Sequence, residues 1–149
     1  SAYAGSALLS PRQYRQFVLP FDASIVAVFK CRCPGTPVYT HTCGAISDRL
    51  ELLEETGTDG IDTLDPPPLG DVDLAEAKRR VGERLFLKGN VDPVGTVLLG
   101  SPEGVRADAA RRIAVGAPGG GYVLSTACSV PPDAPPDNIQ QLRAAAEGG

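Results

Sequence analysis

The sequence predicts an α/β fold organised around a parallel sheet of four successive βα units. Short runs of strand character begin near residues 37, 60, 85 and 122. Between them lie segments of helical periodicity, bounded by N-cap residues and glycine stops. A helix between two strands returns the chain in its original direction, so successive strands lie parallel. The alternation alone leaves open whether the sheet closes into a barrel or stays open and doubly wound. A dinucleotide-binding sheet is disfavoured, because no strand is followed by a glycine-rich loop. Gly119-Gly120-Gly121 precedes its strand and reads as a tight turn.

The elements follow in order. Ser10 is an N-cap, with Pro11 at the first helical position and Gln13 placed for a capping box. Tyr14, Phe17, Val18, Phe21, Ile25 and Val28 then recur at helical spacing, which predicts one buried stripe, kinked or broken at Pro20. Pro34-Gly35 ends this segment, and Pro37 to His41 forms the first strand. Ile46 to Thr56 is helical, with Ile46, Leu50 and Leu53 on one face and Gly57 as its stop; Arg49 and Glu51 read as solvated charges. Gly60 to Leu64 is the second strand. Asp73 caps the next helix with Glu76 completing a capping box, and Gly82 ends it. Leu85 to Leu87 is the third strand, leading into Lys88-Gly89-Asn90-Val91-Asp92-Pro93, where Asp92 orders the loop. Val94 to Leu99 is an extra element. Ser101-Pro102 opens a helix carrying Val105, Ala109 and Ile113 to near Gly116. Tyr122 to Ser125 is the last strand, and Asn138 to Ala146 a closing helix.

With 149 residues, 42% hydrophobic and 21% charged, the composition is that of one ordinary globular domain. A net charge of −4 with scattered Lys and Arg argues against nucleic acid or a membrane surface as partner. No apolar run approaches spanning length and no leader is recognisable, so a cytoplasmic location is expected. The sequence has no Met, and Ser1 to Leu9 reads as a strand-end loop feeding a helix. Residues 1–149 are therefore read as part of a longer protein. Of four Cys, Cys31 and Cys33 are too close in sequence to bridge each other well, and a reducing compartment argues against disulfides in general. Both read as small buried hydrophobes at a helix end, away from the functional face.

The residues that carry chemistry follow the strands. His41 and Cys43 end the first strand, and Cys128 follows the last. C-terminal strand ends converge on the functional face of parallel barrels and sheets. One imidazole and two thiolates suit zinc and leave its fourth position open, as catalysis requires. Spacing alone equally allows a hydrogen-bonded His beside small apolar cysteines. Asp65, after the second strand, either occupies that fourth position until substrate displaces it or shapes entry to Pro66-Pro67-Pro68.

From Ser1 to Gly149 the chain resembles the C-terminal half of the uroporphyrinogen decarboxylase superfamily. The carrying segments are Tyr3-Ala4-Gly5 through Leu9-Ser10-Pro11, His41-Thr42-Cys43-Gly44, Gly89-Asn90-Val91-Asp92-Pro93, and Gly121-Tyr122-Val123-Leu124 through Pro135-Pro136-Asp137-Asn138. The resemblance implies a (β/α)8 barrel with strands five to eight present, completed by its N-terminal half. True decarboxylases of porphyrin biosynthesis lack the His-x-Cys pair and carry His where this sequence has Cys128. The corrinoid-dependent branch, such as methylcobamide:coenzyme M methyltransferase, carries His-x-Cys and a later Cys and binds zinc with them. His41, Cys43 and Cys128 match that pattern as metal ligands, with Asp65 the candidate catalytic carboxylate. The implied reaction moves a methyl group between a corrinoid co-substrate, supplied by a partner protein, and a small thiol such as coenzyme M or homocysteine. Uroporphyrinogen decarboxylation is the alternative; the family's arginines and aspartate for it belong to the N-terminal half. A barrel that binds zinc or corrinoid without turnover is the third reading.

Overall fold

A computed structural model describes residues 4–148. Ser1 to Tyr3, the start of the expected opening loop and of the Tyr3-Ala4-Gly5 motif, and Gly149 lie outside the described residues. Helix α1 (Pro11–Phe17) opens with the capping box: Gln13 N–H donates to Ser10 Oγ at 3.3 Å, and Ser10 N–H donates to Gln13 Oε1 at 2.9 Å. The helix breaks at Val18, and α2 (Leu19–Arg32) restarts with Pro20 in its first turn, where a missing N–H leaves no bond unmade.

Strand β1 (Tyr39–Thr42) is followed by a 3-10 turn (Ser47–Arg49) and α3 (Leu50–Glu55). Then come β2 (Gly60–Thr63), α4 (Leu74–Val81) and β3 (Phe86–Val91). A π-helical turn (Pro93–Leu98), α5 (Pro102–Gly116), β4 (Tyr122–Thr126) and α6 (Pro136–Glu147) complete the chain. The four strands are parallel and lie in sequence order, β1-β2-β3-β4. That order has no point where the winding reverses, so this is a barrel wall and not a doubly wound sheet. Among the described residues no helix is long and apolar enough to cross a membrane.

Side chains alternate across the wall. On the helix side, Ile61 and Leu87 are fully buried against Ile46, Leu50, Leu53, Ala77 and Val81. On the other side, register places Tyr39, Gly60 and Phe86 in one row and His41, Asp62 and Lys88 in the next. Gly60 is needed in the first row: a Cβ there would stand 2.5 Å from the Phe86 ring, which meets Tyr39 edge to face at 5.8 Å.

Five expectations need correction. The stripe on α1 and α2 exists, but Phe17, Phe21, Ile25 and Val28 are each more than half exposed while Tyr14 and Val26 are buried. Helix α2 packs on α1 and α3, and its exposed side meets nothing among the described residues. Arg49 is not solvated; it is fully buried and hydrogen-bonded. Glu51 stays at the surface but pairs with Arg80 at 2.5 Å. Cys31 and Cys33 are exposed thiols, not buried hydrophobes, because they lie at the C-terminal end of α2 outside the hydrophobic core. The α4 capping box is half made: Asp73 accepts from Glu76 N–H at 2.8 Å, but the Glu76 carboxylate turns outward to Arg79 at 2.6 Å. Strand β3 runs on through Lys88-Gly89-Asn90, where pairing with β2 and β4 overrides the poor strand propensity of glycine and asparagine.

Candidate functional site

The strand ends build one cluster. His41 and Cys43, both near the end of β1, share a side of the chain, and Cys43 Sγ lies 3.4 Å from His41 Nε2. The loop after β4 brings Cys128 into the neighbourhood of Cys43. The Cys43 thiol is pushed up to about 11, by burial first, then by the neighbouring Cys128, with Asp65 and Asp62 adding to it. The two thiols are therefore neighbours at the strand ends. All four cysteines are free.

Asp65 is buried after β2. Its Oδ2 accepts from Gly44 N–H at 2.6 Å, next to Cys43, while Oδ1 is buried with no partner among the described residues. Burial pushes this carboxyl up, with the Gly44 N–H pulling against it and Asp92 adding to the rise. The chain reaches Asp65 through Thr63 and Leu64, both in the left-handed backbone region at φ +87° and +55°. Such a conformation is unfavourable for a β-branched residue and tends to persist where surrounding structure enforces it for function. Here it turns the carboxylate back toward the end of β1. Gly70 closes the loop behind it: a Cβ there would lie 2.4 Å from the Asp65 carbonyl oxygen. Asp92 does order its loop, accepting from Val94 and Gly95 N–H at 2.8 and 3.0 Å.

Asp62 and Lys88 were not singled out from sequence. Asp62 Oδ2 lies 2.9 Å from His41 Nδ1, and Oδ1 accepts from Lys88 Nζ at 2.5 Å and from Thr63 N–H at 3.0 Å. Burial pushes the Asp62 carboxyl up, but the hydrogen bonds from His41 and Lys88 outweigh it and hold the group below the usual carboxylate value. The signal that was available is a charged residue inside Gly60-Ile61-Asp62-Thr63-Leu64, since a carboxylate in a buried strand demands a partner.

Among the described residues no three His, Cys, Asp or Glu side chains are already converged as a metal cluster. The donor chemistry nevertheless fits zinc. Nε2 of His41 faces a thiol, a second thiol stands beside the first, and a buried carboxylate oxygen on the neighbouring strand end lacks a partner.

A parallel (β/α) wall with a cysteine, histidine and carboxylate cluster at its C-terminal strand ends defines half of a (β/α)8 barrel bearing its polar site where barrel enzymes carry theirs. The uroporphyrinogen decarboxylase (URO-D) family model matches residues 4–148, and the chain belongs to that family. Members of this superfamily are enzymes, among them decarboxylases and methyltransferases. The uroporphyrinogen decarboxylase of Psychromonas ingrahamii is 36% identical over 133 residues, covering 88% of this chain and 35% of the relative. That of Thioalkalivibrio sulfidiphilus is 37% identical over 138 residues, covering 90% of this chain and 36% of the relative. A solved methyltransferase from Methanosarcina mazei superposes with a TM-score of 0.80 at 25% identity, covering 99% of this chain and 40% of its own. The chain thus spans little more than a third of the curated relatives it matches.

Proposed function

We propose that this chain is the C-terminal half of a zinc-dependent methyltransferase that moves a methyl group between a corrinoid and a small thiol. The observation that carries the reading is the 3.4 Å contact of Cys43 Sγ with His41 Nε2 at the end of β1, with Cys128 as a neighbouring thiol. His41, Cys43 and Cys128 would hold the metal, with Asp65 at the fourth position; when bound, zinc keeps a coordinated thiol ionised near neutral pH. The chain's own residues prepare that chemistry. Asp62 holds His41 with Nε2 toward the half-buried Cys43, and burial keeps Asp65 out of bulk water. In the reaction the substrate sulfur forms a bond to the methyl carbon as the cobalt–carbon bond breaks. The electron pair stays on cobalt, and the thiol proton passes to solvent. The corrinoid arrives on a partner protein docking over the strand-end face, and the N-terminal half of the barrel supplies the remaining walls.

A second reading is uroporphyrinogen decarboxylation, favoured by the names of the curated relatives at 31–37% identity. One pair of assays separates the two. Full-length protein is incubated with methylcobalamin and a panel of thiols, with and without a chelator, and in parallel with uroporphyrinogen. Chelator-sensitive demethylation of methylcobalamin is the expected result. Chelator-insensitive release of carbon dioxide, with no methyl transfer to any thiol, overturns it. Cys128→His keeps a donor but removes a negative charge, so methyl transfer falls while zinc is largely retained.

A further inference from the structure

We propose that Asp62, pinned by Lys88, is a positioning residue that sets the tautomer of His41, leaving Nε2 free as a donor before any metal arrives. The proposal rests on the zinc reading and concerns a residue outside the ligand set. Three strands contribute one side chain each, in register: His41 on β1, Asp62 on β2 and Lys88 on β3. The Asp62 side chain is nine-tenths buried between the other two.

The logic is one of donors and acceptors. An ionised carboxylate only accepts and an ammonium only donates. Lys88 Nζ at 2.5 Å and Thr63 N–H at 3.0 Å both claim Oδ1, so Oδ2 is left to face His41 Nδ1 at 2.9 Å. That contact is a hydrogen bond only if Nδ1 carries the proton. The neutral ring then has a bare lone pair on Nε2, which lies 3.4 Å from Cys43 Sγ. A carboxylate behind a histidine ligand fixes ring orientation and raises ligand basicity, and removing such a partner typically weakens metal binding about ten- to hundredfold.

Two substitutions separate this role from simple packing. In Asp62→Asn the two donors at Lys88 and Thr63 keep the amide oxygen on their side, so the amide NH2 faces Nδ1. The ring must then accept at Nδ1 and carry its proton on Nε2, which blocks the donor. In Asp62→Ala nothing dictates the tautomer. If Asp62 were only filling space, asparagine would be the milder change; for a tautomer-setting residue it is the more harmful one to zinc binding. Lys88→Met keeps the carboxylate and leaves the wild-type tautomer in place.

The test uses full-length, metal-free protein at mildly alkaline pH. Long-range nitrogen–proton NMR of the imidazole, with His41 assigned by His41→Gln, reads the tautomer, and competition with a chromophoric chelator reads zinc affinity. We expect the Nδ1–H tautomer in wild type and Lys88→Met, and the Nε2–H tautomer in Asp62→Asn. Zinc affinity should fall about ten- to hundredfold in Asp62→Asn and by less in Asp62→Ala. An Nε2–H wild-type ring overturns the inference without recourse to any variant. So does an Asp62→Asn protein that keeps Nδ1–H, or one that binds zinc better than Asp62→Ala. If the tautomers respond as stated but wild type binds no zinc, the inference about Asp62 stands and the zinc reading fails.

Discussion

Arg49→Leu should destabilise the full-length protein by about 3–5 kcal/mol, chiefly because two backbone carbonyls lose their donor. The guanidinium is fully buried and donates to Ala4 O and Leu9 O, each at 2.7 Å, and to Asp48 Oδ1 at 2.8 Å. It also lies 5.6 Å from the Tyr14 ring centroid. Leucine fills part of the volume and donates nothing. Asp48 lies partly at the surface and can turn to water, but the two carbonyls lose their donor, at about 1–3 kcal/mol for each that stays buried. Losing the cation–π contact adds about 0.5–2 kcal/mol, and relief from burying a charge offsets part of the total. The site feels the change too, because Ser6 N–H of the tethered loop donates to Ala45 O at 2.7 Å, two residues after Cys43. The assay is chemical unfolding of Arg49→Leu beside Arg15→Ala. The latter breaks only the exposed Arg15–Glu55 pair, which solvent screens, and should cost far less. Equal losses in the two variants would refute the reasoning.

Four further outcomes are expected. Cys43→Ser and Cys128→Ser should abolish tight zinc binding in the full-length protein while Cys31→Ser and Cys33→Ser retain it, by equilibrium dialysis; equal losses in all four would mean the ligand set is wrong. Gly70→Ala should destabilise by about 1–3 kcal/mol, the usual range for overpacking, because the new Cβ meets Asp65 and Gly44 backbone oxygens that cannot swing aside; thermal unfolding at wild-type Tm would count against it. Asp59 is held below its ordinary value of 3.8 by Lys30 and the Val38 N–H. Its depressed folded pKa means its stabilisation is fully present above that value and fades as pH falls through the lower folded one, so the gap in unfolding stability between wild type and Asp59→Asn should shrink below about pH 4. The 149-residue chain alone should self-associate, since the outer edges of β1 and β4 are unpaired in the sheet and α2 exposes Phe21 and Ile25; a monodisperse monomer in sedimentation would refute this.

Local chemistry made most of the elements legible. A side-chain oxygen at Ser10, Asp73 or Ser101 satisfies a helix N–H three residues on wherever the chain folds, and Gly57 or Gly119-Gly120-Gly121 admits positive φ at no steric cost. Alternating strands and helices likewise imply parallel pairing from chain connectivity alone. The sequence also singled out His41, Cys43, Cys128 and Asp65, because strand ends are recognisable and His and Cys are few. What periodicity leaves undecided is which way a stripe faces: Phe17 to Val28 has the spacing of a core face, but burial depends on a neighbour, and α2 has none on that side among the described residues. Arg49 looked like any helix charge because its partners, the carbonyls of Ala4 and Leu9, are about 40 residues away in the chain. The His41–Asp62–Lys88 row was likewise decided by the tertiary structure, since it exists only in the register of three strands and no spacing along the chain encodes it.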